Sequence, residues 1–283
     1  MNNYQIPSDF LTPGTKSPIS TYVHHYQTEK STVRNRIVLS THLFCFLTEG
    51  TKEVVMSNKI VRFGSESFVL ITSGNCFMSE KISQKGAYSS ALLFFDHALL
   101  QEFHFTYKPE IDRIIKNKNI QNKGIFQFKK DAFTHSFVQS LPFVPKHSAE
   151  LNRLKLHEIL LYLLETQPEE LCSIFASAEN NNEDLLFKNI IDSNIDSNLT
   201  IQELCFICNM SLSTFKRKFT RIFNDSPTSW LRRKRMEHAA FLLSYNKERP
   251  SDIYLRLGYE SLSSFTQSFK SIYGKTPKEY QLS

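Results

Sequence analysis

The chain has 283 residues, 41% of them hydrophobic and 22% charged, with a net charge of +6. That length suggests two domains, and the composition is that of a folded globular protein rather than a disordered or fibrous one. The opening MNNYQIPSDF lacks a basic segment ahead of an apolar core, no apolar run approaches a membrane span, and the five cysteines are odd in number. A secreted protein, a membrane protein and a disulfide framework are therefore not expected, and the cytoplasm is the expected location.

From about residue 20 to 95 the chain reads as short strands, at 22–26, 36–39, 43–47, 53–56, 59–63, 68–71, 76–79 and 89–95. Turn residues such as Glu49-Gly50, Ser57-Asn58 and Gly64-Ser65 punctuate them at short intervals, the pattern of a β-barrel or jelly roll. Its interior would be filled or lined by aromatic residues. Phe44, Phe46, Phe68 and Phe94 are the candidate lining of an effector pocket, which would suit an apolar or aromatic ligand. The same residues are what any filled barrel contains, and both readings stay open.

Three helical patterns follow, at 98–103, 131–141 and 149–164. The last, AELNRLKLHEILLYLL, is apolar on two sides. Leu156, Ile159, Leu160 and Leu163 form one stripe, and Leu151, Leu154, Glu158, Leu161 and Tyr162 lie near another. Such a helix can pack on its own domain and on a second copy of the chain, which makes the second stripe the candidate homodimer surface. Residues 166–182, TQPEELCSIFASAENNN, are polar and end in an asparagine run. The expected organisation is a regulatory domain at 1–166, a linker at 167–183 and a second domain at 184–283, opened by a helix at 185–195.

The second domain carries an internal repeat. STFKRKFTRIFNDSPTSW at 213–230 is echoed fifty residues later by SSFTQSFKSIYGKTPKEY at 263–280. Apolar positions at i, i+4, i+7 and i+8 give each copy a greasy back, while Ser213, Arg217 and Arg221, or Ser263, Gln267 and Lys270, fall on the opposite front. Ser211 and Ser261 are natural N-caps, and Asn224 and Gly274 suit a left-handed C-terminal residue. Pro227 and Pro277 come shortly past each helix end. Upstream of each copy lies a shorter helical pattern, IQELCFIC at 201–208 and PSDIYLRL at 250–257, the first opened by a Thr200/Glu203 capping box. Short helix, tight turn and polar-fronted helix make a helix-turn-helix, whose second helix enters a DNA major groove. Between the copies, TSWLRRKRMEHAAFLLSY has no glycine or proline and reads as one long linker helix, a rigid spacer. Residues 199–283 hold 14 Lys+Arg against 7 Asp+Glu, whereas residues 1–198 hold 20 against 21, so the basic excess lies with the repeat. Cys205 and Cys208 form a C-x-x-C, read as two packed residues because no second pair offers zinc its remaining ligands.

The run SLSTFKRKF, then WLRRKRMEHAAFLLS, then RLGYESLSSFTQSFKSIYGKTPKEY resembles the DNA-binding domain of the AraC/XylS family of bacterial transcription regulators. Tyr254, where the family has a small residue, Asn224 in place of a glycine and Tyr259 in place of a phenylalanine depart from its pattern. The resemblance implies a two-domain α+β fold: an amino-terminal cupin-like β-barrel with flanking helices, then an all-α tandem helix-turn-helix domain. It implies promoter DNA and RNA polymerase as partners, activation rather than repression, and a small-molecule or protein effector acting through the first domain. Arg217 and Ser213 match the family's base-reading positions, and an arginine can pair bidentately with guanine. Thr214, Lys216, Lys218 and Arg221 are expected beside them, the charged ones as phosphate contacts. In the second copy Leu262, Ser263, Ser264 and Gln267 are expected at the bases and Lys270 nearby. Cupins often hold a metal through clustered histidines, but His24, His25 and His42 lack the His-x-His plus glutamate pattern, so no metal or cofactor is expected. No nucleophile–base arrangement suggests an enzyme. The competing reading, a protein–protein adaptor on the same scaffold, would leave the fronts apolar or acidic, whereas the first is basic.

Overall fold

The computed structural model describes residues 3–10, 20–56, 59–116, 124–145, 148–175, 183–195 and 199–282. The chain divides into two compact units, Met1–Asn181 and Asn182–Ser283.

The first unit is built on two five-stranded sheets. One takes β1 (Asn3–Ile6), β3 (Thr32–Leu39), β8 (Gly74–Lys81), β5 (Thr51–Met56) and β6 (Lys59–Phe63), in the order β1-β3-β8-β5-β6. The other takes β10 (Ile125–Lys129), β7 (Ser67–Ile71), β4 (His42–Glu49), β9 (Tyr88–Phe95) and β2 (Thr21–Thr28), in that order. All pairs are antiparallel except β1 with β3. The sheets stack as an open sandwich, and among the described residues no strand pairing closes them into a barrel. The β4–β5 turn needs Gly50, whose φ is +88° and whose added Cβ would lie 2.7 Å from the Lys81 carbonyl oxygen.

Side-chain alternation along a strand decides what each face meets. Leu43, Cys45 and Leu47 of β4, with Val69, Ile71, Leu92 and Phe94, face the first sheet's Ile37, Leu39, Val54, Met56, Cys76 and Met78. Phe44, Phe46, Phe68, Leu70, Leu93 and Phe95 point the other way, into a layer of helices. That layer comprises α1 (His97–Thr106), α2 (Lys108–Lys116), α3 (Ala132–Ser140), α4 (Ala149–Thr166) and α5 (Pro168–Cys172). Three of the four expected pocket residues are thus not between the sheets at all. Register explains the division: Phe46 sits opposite Phe68 and Phe44 opposite Leu93, while Phe94 sits opposite Leu43. Phe44, Phe46 and Phe68 are wholly buried and packed ring on ring, with centroids 4.9 Å apart for Phe46 and Phe68 and 5.8 Å for Phe44 and Phe46. They are filled core.

Helix α4 buries Leu156, Ile159, Leu160 and Leu163 against that core. Of the other stripe, Leu151 and Leu154 are 43% and 63% exposed. Glu158 is half-buried and held by Lys155 at 2.8 Å. Leu161 and Tyr162, next to Leu160 on the helix, lean back onto their own unit, with the Tyr162 ring stacked 3.8 Å from Phe133. The expected linker begins late. Pro168 opens α5 at a position where its missing N–H costs nothing, and Leu171, Cys172 and Ile174 are buried in the first unit's core. Residues 176–182 of the expected linker lie outside the described residues.

One charged pair is buried at the sandwich: Lys52 Nζ lies 2.8 Å from Glu80 Oε1 and 3.3 Å from the Tyr88 hydroxyl. Burial opposes the charge on Lys52, but Tyr88 and Glu80 outweigh it and raise its pKa well above the usual value. Among the expected metal candidates, His24 stacks on Phe10 at 4.3 Å. His42 is buried, accepting from the Ser73 N–H at Nδ1 (3.2 Å) with Nε2 3.1 Å from His97 Nδ1. Among the described residues no group of three or more His, Cys, Asp or Glu side chains is placed to hold a metal. No helix there is long and apolar enough to cross a membrane.

The second unit is all-helical: α6 (Glu183–Ser193), α7 (Ile201–Ile207), α8 (Leu212–Phe223), α9 (Pro227–Ser244), α10 (Pro250–Ile253), α11 (Leu262–Tyr273) and α12 (Pro277–Leu282). Pro227 and Pro277 do more than end a helix. Each is the first residue of the next one, behind a serine or threonine that bonds the first turn: Ser226 accepts from Ser229 N–H at 3.2 Å, and Thr276 from Glu279 N–H at 3.3 Å.

Candidate nucleic-acid interface

The first motif starts at α7. The Thr200 hydroxyl accepts from the Glu203 N–H at 3.2 Å, and the Glu203 carboxylate accepts from the Thr200 N–H at 2.7 Å, a complete capping box. The helix stops where Asn209 takes a left-handed conformation, φ +52°, and the Met210 N–H reaches back to the Cys205 carbonyl at 2.9 Å. That is the six-to-one bond of a Schellman stop. The second motif repeats it: Gly258 has φ +78°, and the Tyr259 N–H bonds the Tyr254 carbonyl at 3.0 Å. From the left-handed residue to the next helix is three residues in the first copy and four in the second, so the second turn is one residue longer. Helix α10 is shorter than expected, four residues before the turn, with Tyr254 half-buried in the local core.

Helices α8 and α11 are built alike. Ser211 accepts from the Thr214 N–H and Ser261 from the Ser264 N–H, each at 3.2 Å. Asn224 and Gly274 end them at φ +55° and +71°. Phe215 and Phe219, like Phe265 and Phe269, are fully buried. Cys205 is buried too, and burial, with Cys205 nearby, pushes the Cys208 thiol up to about 12. Neither is a thiolate waiting for a metal.

The 18-residue α9, about 27 Å long at 1.5 Å per residue, carries both motifs. Near its start Trp230 packs on Phe223 and Phe219 of the first copy, at 4.7 and 5.6 Å. Further on, Met236, Ala239, Ala240, Leu242 and Leu243 share one cluster with Ile253, Leu257, Phe265 and Phe269 of the second. Its own cations are mostly engaged: Arg233 with Asp225 (3.0 Å), Lys234 with Glu237 (2.6 Å) and Arg235 with the Leu199 carbonyl (3.2 Å).

On α8 the side chains of Ser213, Thr214, Lys216, Arg217 and Arg221 are exposed together. Lys216 and Arg217 make no ion pair among the described residues. Lys218 departs from expectation. It follows Phe215 by three residues, which turns it toward the packed face; its side chain is 13% exposed, with Nζ 3.8 Å from Asp184 of α6 and 5.6 Å from the Phe187 ring centre. Arg221 reaches the same carboxylate oxygen at 2.6 Å. The Thr214 hydroxyl is drawn into the N-cap, 2.9 Å from Ser211 Oγ. Ser264 likewise donates to the Ser261 carbonyl at 2.9 Å. Those two hydroxyls are partly spent on local structure. Leu262, Ser263, Gln267 and Lys270 of α11 are exposed, with a single cation among them.

Two capped helices, each with a buried aromatic back and an open polar front, on one shared strut, make the tandem helix-turn-helix form of a DNA-reading domain. Residues 204–283 match the family described as a helix-turn-helix domain, and residues 42–174 match the ExsA N-terminal regulatory domain. Both matches agree with the resemblance of the sequence to the AraC/XylS family of transcription regulators. It is 27% identical over 172 residues to the virulence regulon transcriptional activator VirF of Yersinia enterocolitica. It is 30% identical over 172 residues to the thermoregulatory protein LcrF of Yersinia pestis. Each alignment covers 59% of this chain and 63% of the relative, so the chain spans under two thirds of their length. A solved structure of ToxT from Vibrio cholerae aligns over 93% of this chain and 98% of its own, with 15% identity and a TM-score of 0.41.

Proposed function

We propose that this protein is a sequence-specific DNA-binding transcription regulator of the activating kind, acting in the cytoplasm and without enzymatic chemistry. The observation that carries the reading is the front of α8, where Arg217 and Lys216 stand exposed, with no ion pair among the described residues, beside Ser213 on a helix anchored through Phe215 and Phe219. Arg217 and Ser213 read base edges; Lys216 holds phosphate, with Arg221 on the same exposed front. Helix α11 offers Leu262, Ser263 and Gln267 to a second groove, Gln267 for adenine and Leu262 for a thymine methyl. With Lys270 as its one cation there, it adds a looser preference and α8 supplies most of the affinity. RNA polymerase is the partner at the promoter.

The first unit is the regulatory input, through a small molecule or a partner protein. It also joins two copies through α4, where Leu151 and Leu154 are open and Glu158 stands at their edge. Exposed leucines of that kind on a monomer mark an interaction face. The test is selection from random duplexes with the purified chain. Enriched sites should hold two conserved blocks about one helical turn apart. Recovery of no shared sequence would refute the reading.

A further inference from the structure

The ion pair between α6 and α8 has no part in reading bases, yet it sits on two cations of α8, Arg221 on the exposed front and Lys218 toward the packed side. Asp184 lies in the first turn of α6. The helix is docked on the back of α8 by Phe187, whose ring centre is 5.3 Å from Phe215 and 6.2 Å from Phe219. One Asp184 carboxylate oxygen serves both Arg221, at 2.6 Å, and Lys218, at 3.8 Å. The aspartate is 43% exposed and Arg221 63%, so the pair lies at the solvent edge of the α8 front and not in the core.

We infer that Asp184 is a positioning residue that holds Arg221 and Lys218 back from phosphate and so limits the sequence-independent part of the affinity for duplex DNA. This rests on the reading of α8 as the groove helix. Phosphate attraction is independent of sequence, and each contact raises affinity for every duplex alike. Base-edge contacts and the shape of the duplex separate a target from the rest. An acid that occupies two flanking cations lowers the indiscriminate part of the affinity and leaves Arg217 its share. The carboxylate also repels any phosphate that approaches Arg221. The pair is exposed enough that it adds little to stability, so its removal should not unfold the unit.

The experiment measures binding of the full chain to a selected target and to a scrambled duplex over a range of salt, for the parent, Asp184→Asn and Asp192→Asn. Asp192 is an exposed acid in the last turn of the same helix and controls for net charge. Asp184→Asn should bind the scrambled duplex and the target more tightly by about the same factor. Each phosphate contact released should steepen its log–log salt slope by about 0.9. With two such contacts, doubling the salt weakens the variant about 3.5-fold more than the parent. At least half of that change should vanish in an Arg221→Gln background, which a purely structural role of Asp184 would not produce. An Asp184→Asn protein that matches Asp192→Asn, or that loses target and scrambled binding equally, overturns the inference. A parent without salt-dependent duplex binding overturns the reading of α8, and this inference with it.

Discussion

Acid should loosen the first unit through one side chain, His42. It is 4% exposed, and its Nδ1 accepts from the Ser73 N–H, so the ring is neutral with its proton on Nε2, donated toward His97. A second proton would meet the Ser73 N–H head-on. Burial first, and the neighbouring His97 second, lower the His42 pKa from 6.5 to about 4, against a smaller upward pull from Asp96. The folded value lies below the unfolded one, so the unfolded chain binds more protons. The stabilisation is whole above about pH 6.5 and is lost as the pH falls toward 4. Linkage from those two values gives a loss of about 2 kcal/mol between pH 7 and pH 5. The control is His42→Asn, whose amide oxygen can stand in for Nδ1 as acceptor but does not titrate. Urea unfolding should be followed by the circular dichroism of the sheets, because the one tryptophan, Trp230, lies in the other unit. The parent should lose about 2 kcal/mol more than the variant between those two pH values. Equal losses in both proteins would refute the assignment.

Other perturbations follow from the same geometry. Arg217→Ala should cost about 1–3 kcal/mol on the selected duplex and relax one base position, whereas Lys216→Ala should weaken all duplexes alike and flatten the salt slope by about 0.9; competition titrations across single-base variants distinguish the two. Lys52→Met strands the Glu80 carboxylate between the sheets and should cost about 3–5 kcal/mol. Lys52→Met with Glu80→Leu should recover most of that loss, both read by urea unfolding. Gly50→Ala should destabilise the first unit by more than about 1 kcal/mol, because φ of +88° and the nearby Lys81 carbonyl both reject a Cβ; an unchanged midpoint would contradict this.

The recognition helices could be read from the sequence because every local signal agrees there. Aromatic spacing, serine N-caps and left-handed C-terminal residues recur at a fifty-residue interval, and each alone would have marked a helix. The strands from β2 to β9 were visible through turn residues and alternation, but the face each residue takes was not. β4 shows why: HLFCFL is buried from end to end, one face against a sheet and the other against helices. When both faces are dry, alternation no longer marks which is which, and Phe44 and Phe46 read equally well as pocket lining or as helix-layer core. α5 was hidden by its polar neighbours, since only Leu171, Cys172 and Ile174 show that it packs.

Two features of the interface were out of reach for different reasons. Lys218 was legible, as it follows Phe215 by three residues and so lies toward the packed side; the basic run KRK at 216–218 reads as one surface only if helical phase is ignored. Asp184 was not legible. It meets Arg221 from 37 residues away, and nothing in the local sequence of either announces the other. Charge counted along the chain therefore overstates what a helix can offer to phosphate. The 14 basic residues at 199–283 include several that Asp184, Asp225 and Glu237 already hold. What distinguishes Arg217 is position: it lies opposite the buried Phe215 and Phe219, exposed, and makes no ion pair among the described residues.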